Sequence, residues 1–219
     1  RSSPRFGSSA LFQLGAVTAE VFAKWPGLAP VAEMPDREEI CSAFARSLYG
    51  PVPAPPRAMT RVSEPCGAAT RLVIRIEGAA FDALLWLPAG RNGPVPVIAA
   101  LDFLGPVGLR GIPFPIDPDA IICAPKALGG EGQSLRETMR GQTGGRWPIE
   151  AIHDAGFGLL LSCYGSWVPD DPGAWQARGL GPLLGPGHAA ISLWAWALMR
   201  LVDAAKAVPE VGSVLLAGH

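Results

Sequence analysis

Val214-Leu215-Leu216-Ala217-Gly218-His219 is the stretch on which the fold turns. An apolar run of strand character passes directly into Gly-His, the first half of the pattern G-x-S-x-G. In that pattern a serine sits on a tight strand-to-helix turn at the top of a sheet, the nucleophile elbow. Gly218 and His219 supply the first glycine and the variable position, and a nucleophilic serine is expected immediately after His219. The catalytic acid and base are then expected from loops further along, so His219 is read as the variable residue of the elbow and not as the base. The competing reading is a strand followed by an ordinary glycine turn. The segments upstream decide between them.

Working back from the elbow, His188–Val208 reads as a helix apolar nearly all round, ended by Pro209, and Ser213–Ala217 as the strand it feeds. Gly158–Cys163 is a buried strand, preceded by a short helix from Ile149 to Ala155 with Pro148 at its first position and Gly156 at its end. Val95–Leu101 is a continuous apolar strand of the kind buried on both faces. Thr70, Leu72, Ile74 and Ile76 alternate with Arg71, Arg75 and Glu77 and form a hairpin with Phe81–Leu87 across Gly78-Ala79-Ala80. Further back, Asp36-Arg37-Glu38-Glu39 is a capping box opening a helix with Ile40, Phe44 and Leu48 on one face. Gly50 and Pro51 end that helix, and Pro51–Pro56 is an extended connector.

Hairpin, strand, helix, strand, helix, strand and elbow follow in the order of the front half of an α/β-hydrolase, a three-layer α/β sandwich. The expected organisation is an irregular N-terminal arm over 1–34 and, over 35–219, the N-terminal portion of a single α/β-hydrolase domain up to its elbow strand. Because the elbow strand lies mid-sheet in that fold, its apolar edge is expected to need further chain, or another chain, beside it.

Composition narrows the partners. The 219 residues are 49% hydrophobic and 17% charged, with 18 Lys and Arg against 19 Asp and Glu and no block of like charge. Nucleic acid and anionic membrane are therefore poor partners, and a neutral or singly charged small molecule or polysaccharide fits better. The longest uncharged apolar run, Ala189–Met199, is about half the ~20 residues of a membrane-spanning helix. Cys41, Cys66, Cys123 and Cys163 lack zinc-site spacing and read as free buried thiols, with a disulfide as the alternative. No metal and no cofactor is expected.

Candidate site residues lie in the loops. Asp102-Phe103-Leu104-Gly105-Pro106 leaves the third strand where such a hydrolase supplies a backbone N–H to its oxyanion hole, with Phe103 and Leu104 as the candidate donors. Trp167 and Trp175, in the irregular stretch 164–187, are candidates for stacking on a sugar, with buried loop anchors as the alternative. Gly129-Gly130-Glu131-Gly132 lacks the G-K-[ST] of a phosphate loop and reads as a flexible loop. Arg146-Trp147 suggests a structural salt bridge or cation–π contact. His153 and His188 have no ligand partner at helical spacing and read as structural.

Several segments together resemble one family, the bacterial glucuronoyl methylesterases of carbohydrate esterase family 15. They are Ala43–Pro53 (AFARSLYGPVP), Pro94–Val97 (PVPV), Gly145–Glu150 (GRWPIE), Ala155-Gly156-Phe157, Cys163-Tyr164-Gly165, Ile191–Arg200 (ISLWAWALMR) and Val214–His219. The Trp-Ala-Trp helix leading into Ala-Gly-His is the most specific part, and the final segment is similar to the start of the family's G-H-S-R-x-G-K signature. The resemblance implies hydrolysis of esters of (4-O-methyl)glucuronic acid, such as those joining glucuronoxylan to lignin alcohols, by a Ser-His-Glu/Asp triad without metal. It further implies an Arg after the serine that stabilises the oxyanion, a Lys beyond it that binds the sugar, and secretion or periplasmic export. The family's Asn-Phe-Phe-Gly-Asn reads Asp102-Phe103-Leu104-Gly105-Pro106 here, and its Tyr-Gly-Asp reads Tyr164-Gly165-Ser166. Another carbohydrate or acetyl esterase of the same fold, and a non-catalytic sugar-binding relative, are the alternative expectations.

Overall fold

The computed structural model describes residues 36–123 and 134–218. The expected arm over 1–34, the glycine loop at 129–132 and His219 lie outside the described residues. The chain forms two compact units, 1–42 and 43–219.

In the first unit the capping box forms as expected. The Glu39 N–H donates to Asp36 Oδ1 at 2.8 Å and the Asp36 N–H to Glu39 Oε2 at 3.3 Å, opening helix α1 (Arg37–Phe44). Within the second unit the chain continues as a π-helical turn, Ala45–Tyr49, and stops at Gly50 with φ of 73°. The apolar face expected of this helix is not buried at Phe44 or Leu48; Phe44 instead stacks on Tyr49.

The second unit is built on one mixed sheet in the order β1-β2-β3-β5-β4-β6. Its strands are β1 (Met59–Cys66), β2 (Ala69–Ile76), β3 (Ala79–Trp86), β4 (Val95–Asp102), β5 (Gly158–Cys163) and β6 (Val211–Leu216). The β2–β3 hairpin turns through Glu77 and Gly78, both at positive φ, which matches the right-handed twist of the strands. β1, absent from the sequence reading, pairs with β2 from Met59↔Ile76 to Cys66↔Ala69. β5 runs antiparallel to β3 and parallel to β4, and β4 runs parallel to β6.

Helix α2 (Ile149–Asp154) connects β4 to β5; α3 (Tyr164–Trp167), α4 (Gly181–Leu184) and α5 (Ala190–Lys206) lie between β5 and β6. Pro148 is the N-cap of α2, one position before the expected N1. Successive strand residues feed opposite faces, which is why two cores form. Ala99, Val97 and Leu160 pack with Leu193, Trp196, Ala197 and Leu201 of α5. Ala100, Leu159 and Leu161 pack on the other face with Leu104, Val107, Ile122 and Met139. Helix α5 is narrower than expected and amphipathic: Ile191 and Met199 are exposed. Its buried Arg200 is held by Asp203 at 2.7 Å and lies over the Trp196 ring at 4.8 Å.

β6 borders β4 and has no second strand beside it among the described residues; Leu215 and Leu216 are exposed, Leu216 by 63%. All four cysteines are free thiols. Cys66 and Cys163 are buried, but Cys41 and Cys123 are exposed: Cys123 follows the buried Ile122 as the chain leaves the core.

Candidate active site

From β4 the connection to β5 runs to one side, and from β5 the chain returns past β4 to β6 on the other. The carboxyl ends of these parallel strands flank a topological switch point, where loops part and a crevice opens. The crevice here has a volume of about 500 Å³. It is lined by the exit of β4 (Asp102, Phe103), by Arg146 and Trp147, by Tyr164 and Asp170, by the outer side of α5 (Trp194, Leu198) and by Ala217-Gly218 after β6.

Asp102 organises this end of the sheet. Its side chain is 1% exposed, so its carboxylate must be met by protein donors. Oδ1 accepts the N–H groups of Leu104 and Gly105, both at 3.1 Å, which folds the loop back on the strand. Oδ2 accepts Arg146 Nη1 at 3.1 Å and Trp147 Nε1 at 3.3 Å. The turn demands glycine at 105: φ is +53°, and a Cβ there would stand 2.5 Å from the Cys163 backbone nitrogen. Arg146 is 36% exposed and its guanidinium lies 5.3 Å from the centroid of the Phe103 ring. The expected salt bridge and cation–π contact both form, but as part of the crevice wall.

At the β5 exit, the Tyr164 hydroxyl donates to Asp170 Oδ2 and accepts the Cys123 N–H, each at 2.7 Å. Burial, with Asp170 beside it, pushes its ionisation well above the usual phenol range. Tyr164 meets Phe103 and Trp194 edge to face, so three aromatic rings brace one wall. The Trp194 indole N–H is turned away, to the Val168 carbonyl at 3.0 Å. Cys163 is not a nucleophile: burial pushes its thiol up to about 12, and the S–H is directed at the Phe103 carbonyl. At the β6 exit the Ala217 N–H donates to the Ala99 carbonyl at 3.0 Å, extending the parallel pairing to the last residue before Gly218.

The sequence-derived candidates separate here. Phe103 and Gly218 line the crevice. Leu104 does not serve as an oxyanion donor in this arrangement, because its N–H is turned to the Asp102 carboxylate and its side chain is buried. Trp167 is no sugar platform: it is 0% exposed, stacked on Phe81 at 4.2 Å, and its indole N–H donates to Ser162 Oγ. Trp175 is half-buried against the α5 core and is not among the crevice residues. His153 sits against Trp86, and His188 Nδ1 lies 2.7 Å from the Pro51 carbonyl. Asp102, Tyr164, Asp170 and Trp194 are not site candidates in the sequence, although Tyr164 and Trp194 stand in segments that carry the family resemblance and Asp102 in one that departs from it. The signal for Asp102 was a lone carboxylate closing an apolar strand. Among the described residues no cluster of His, Cys, Asp or Glu could hold a metal, and no helix is long and apolar enough to cross a membrane.

A mixed sheet with helices on both faces and a crevice at the switch point defines the front part of an α/β-hydrolase. Solved structures make the likeness more particular. The chain is similar to a glucuronoyl esterase from Solibacter usitatus, at 29% identity and a TM-score of 0.67, over 84% of this chain and 51% of that one. A promiscuous family 15 carbohydrate esterase from a marine bacterial metagenome gives 24% identity and a TM-score of 0.67, again over 84% and 51%. A family 15 glucuronoyl esterase from Caldicellulosiruptor kristjansonii, at 16% identity and a TM-score of 0.51 over 82% and 42%, shares the fold. The resemblance to family 15 carbohydrate esterases is thus carried by the structure, and the chain spans about half the length of the first two proteins. No protein-family model and no curated protein matches the chain.

Proposed function

We propose that this chain is the N-terminal portion of a serine esterase of the glucuronoyl methylesterase type, acting on esters of (4-O-methyl)glucuronic acid such as lignin–glucuronoxylan links. One observation carries the reading: the exits of β4, β5 and β6 converge on a single crevice, and Gly218 of the half-motif Gly-His lines it. The likeness to the Solibacter usitatus esterase over 84% of the chain supports the same assignment.

In this reading the serine after His219 attacks the ester carbonyl, the alcohol leaves as a histidine from further along the protein protonates it, and water then hydrolyses the acyl-enzyme. What the described residues contribute is a rigid frame. The Asp102 turn fixes the strand exit, the aromatic wall excludes water from one side, and the buried Cys163 thiol stays unreactive. Secretion or periplasmic export belongs to the same proposal.

The test is a pair of esters offered to protein expressed from the complete gene. Benzyl glucuronate is expected to be hydrolysed faster than an acetylated xylose. Hydrolysis of the acetyl ester alone would instead identify an acetyl esterase of the same fold.

A further inference from the structure

We propose that Arg146 is a specificity-determining residue that binds the oxygens of a neutral sugar ester, with Asp102 as its positioning partner. The inference rests on the esterase reading for the identity of the substrate, but on geometry for the site. A guanidinium carries five N–H donors in a planar fork. Arg146 spends one nitrogen, Nη1, on Asp102, and no other side-chain hydrogen bond of Arg146 exists among the described residues. Its guanidinium carbon lies over the Phe103 ring, and 36% of the side chain is exposed, at the wall of the crevice. A cation fixed from below by a buried carboxylate and flanked by a ring is pre-organised, so little side-chain freedom is lost when it binds.

Charge selects the ligand. Among the described residues the crevice is lined by one guanidinium, Arg146, and two carboxylates, Asp102 and Asp170. Asp102 already balances Arg146, and Asp170, which accepts the Tyr164 hydroxyl, has no cation paired with it among the described lining residues. At this wall an anion gains little from Arg146, whose charge Asp102 already balances, whereas hydroxyl and carbonyl oxygens can accept the remaining guanidinium N–H groups without burying further charge. The chemistry fits a uronic acid in its neutral, esterified form better than the free acid that hydrolysis releases. The same arrangement thus favours substrate entry and product departure.

The probes are D-glucuronamide, a neutral analogue that is not an ester, and D-glucuronate, titrated against the protein while the fluorescence of Trp147 and Trp194 in the crevice is followed. The amide is expected to bind at least about tenfold tighter than the acid, and R146M to weaken amide binding about 10- to 100-fold. D102N should weaken it less, and the double variant should be no worse than R146M alone, because the two residues act through one contact. Equal affinity of R146M and the parent, tighter binding of the acid, or no binding by the parent would each overturn the proposal. Should R146M fail to fold, R146K decides: it keeps a charge for Asp102 but loses the fork, and unchanged affinity there overturns the proposal as well. Arg146-dependent binding in a protein that leaves benzyl glucuronate intact would sink the esterase reading alone. Hydrolysis of benzyl glucuronate with binding indifferent to Arg146 would sink this inference alone.

Discussion

A carboxylate that ends an apolar strand must find donors or draw water into the sheet, and Asp102 finds four. At the residue scale this defines what each buried polar group does, and two further side chains show the same logic. Trp167 is a core residue, so W167A is expected to cost about 3–5 kcal/mol of stability, read from urea unfolding, far beyond the effect of a surface loop residue. Cys163 keeps its proton because ionisation inside the core is unfavourable. Its folded-state value of about 12 lies above the ordinary 9.0, so its contribution to stability is complete below pH 9 and is lost as the pH rises from 9 towards 12. Thermal melts of C163A should accordingly lose less stability than the parent between pH 8 and 11. At pH 8, iodoacetamide should label the exposed Cys41 and Cys123 in the native protein and spare Cys66 and Cys163, as peptide mass spectrometry would show.

At the scale of elements, regular burial is what makes a segment legible in the sequence. Strands β2 to β5 and helix α5 announce themselves because each buries a regular apolar set, β6 does so by its apolar run Val214-Leu215-Leu216 although Leu215 and Leu216 are exposed, and the capping box of α1 is local chemistry. β1 was invisible for a physical reason: as an edge strand it carries Thr60, Arg61, Ser63, Glu64 and Pro65, and its backbone pairing with β2 replaces the side-chain pattern that would have marked it. Trp167, open between sugar platform and buried anchor in the sequence, is the anchor. A Gly- and Pro-rich segment looks like a surface loop, yet α3 tucks directly under the sheet because Gly165 permits it. A Cβ on Gly165 would stand 2.2 Å from the Ile121 carbonyl oxygen. G165A is therefore expected to cost about 1–3 kcal/mol and to disturb the Tyr164–Asp170 contact, seen as a lower melting temperature and a changed near-ultraviolet dichroism. Of the crevice, the strand exits with Phe103 and Gly218 were legible, and so was a contact of Arg146, but not that its partner is Asp102. Asp102 and Arg146 are 44 residues apart, and only the fold makes them neighbours.

For the whole molecule, the decisive feature is topology. Once the path from β4 to β5 and back past β4 to β6 is set, the carboxyl ends of three parallel strands share one edge, and whatever their exit loops carry becomes a site. That is why Gly218, the first residue of the half-motif, and a carboxylate at Asp102 belong to one crevice. In the proposed reading this crevice is a serine-esterase centre whose nucleophile is presented by the turn after β6. It is tested most directly by treating protein from the complete gene with a fluorophosphonate and mapping the adduct by peptide mass spectrometry. The expected result is a single phosphonylated serine immediately after His219, protected by D-glucuronamide. An adduct elsewhere, or none in folded protein, would contradict it.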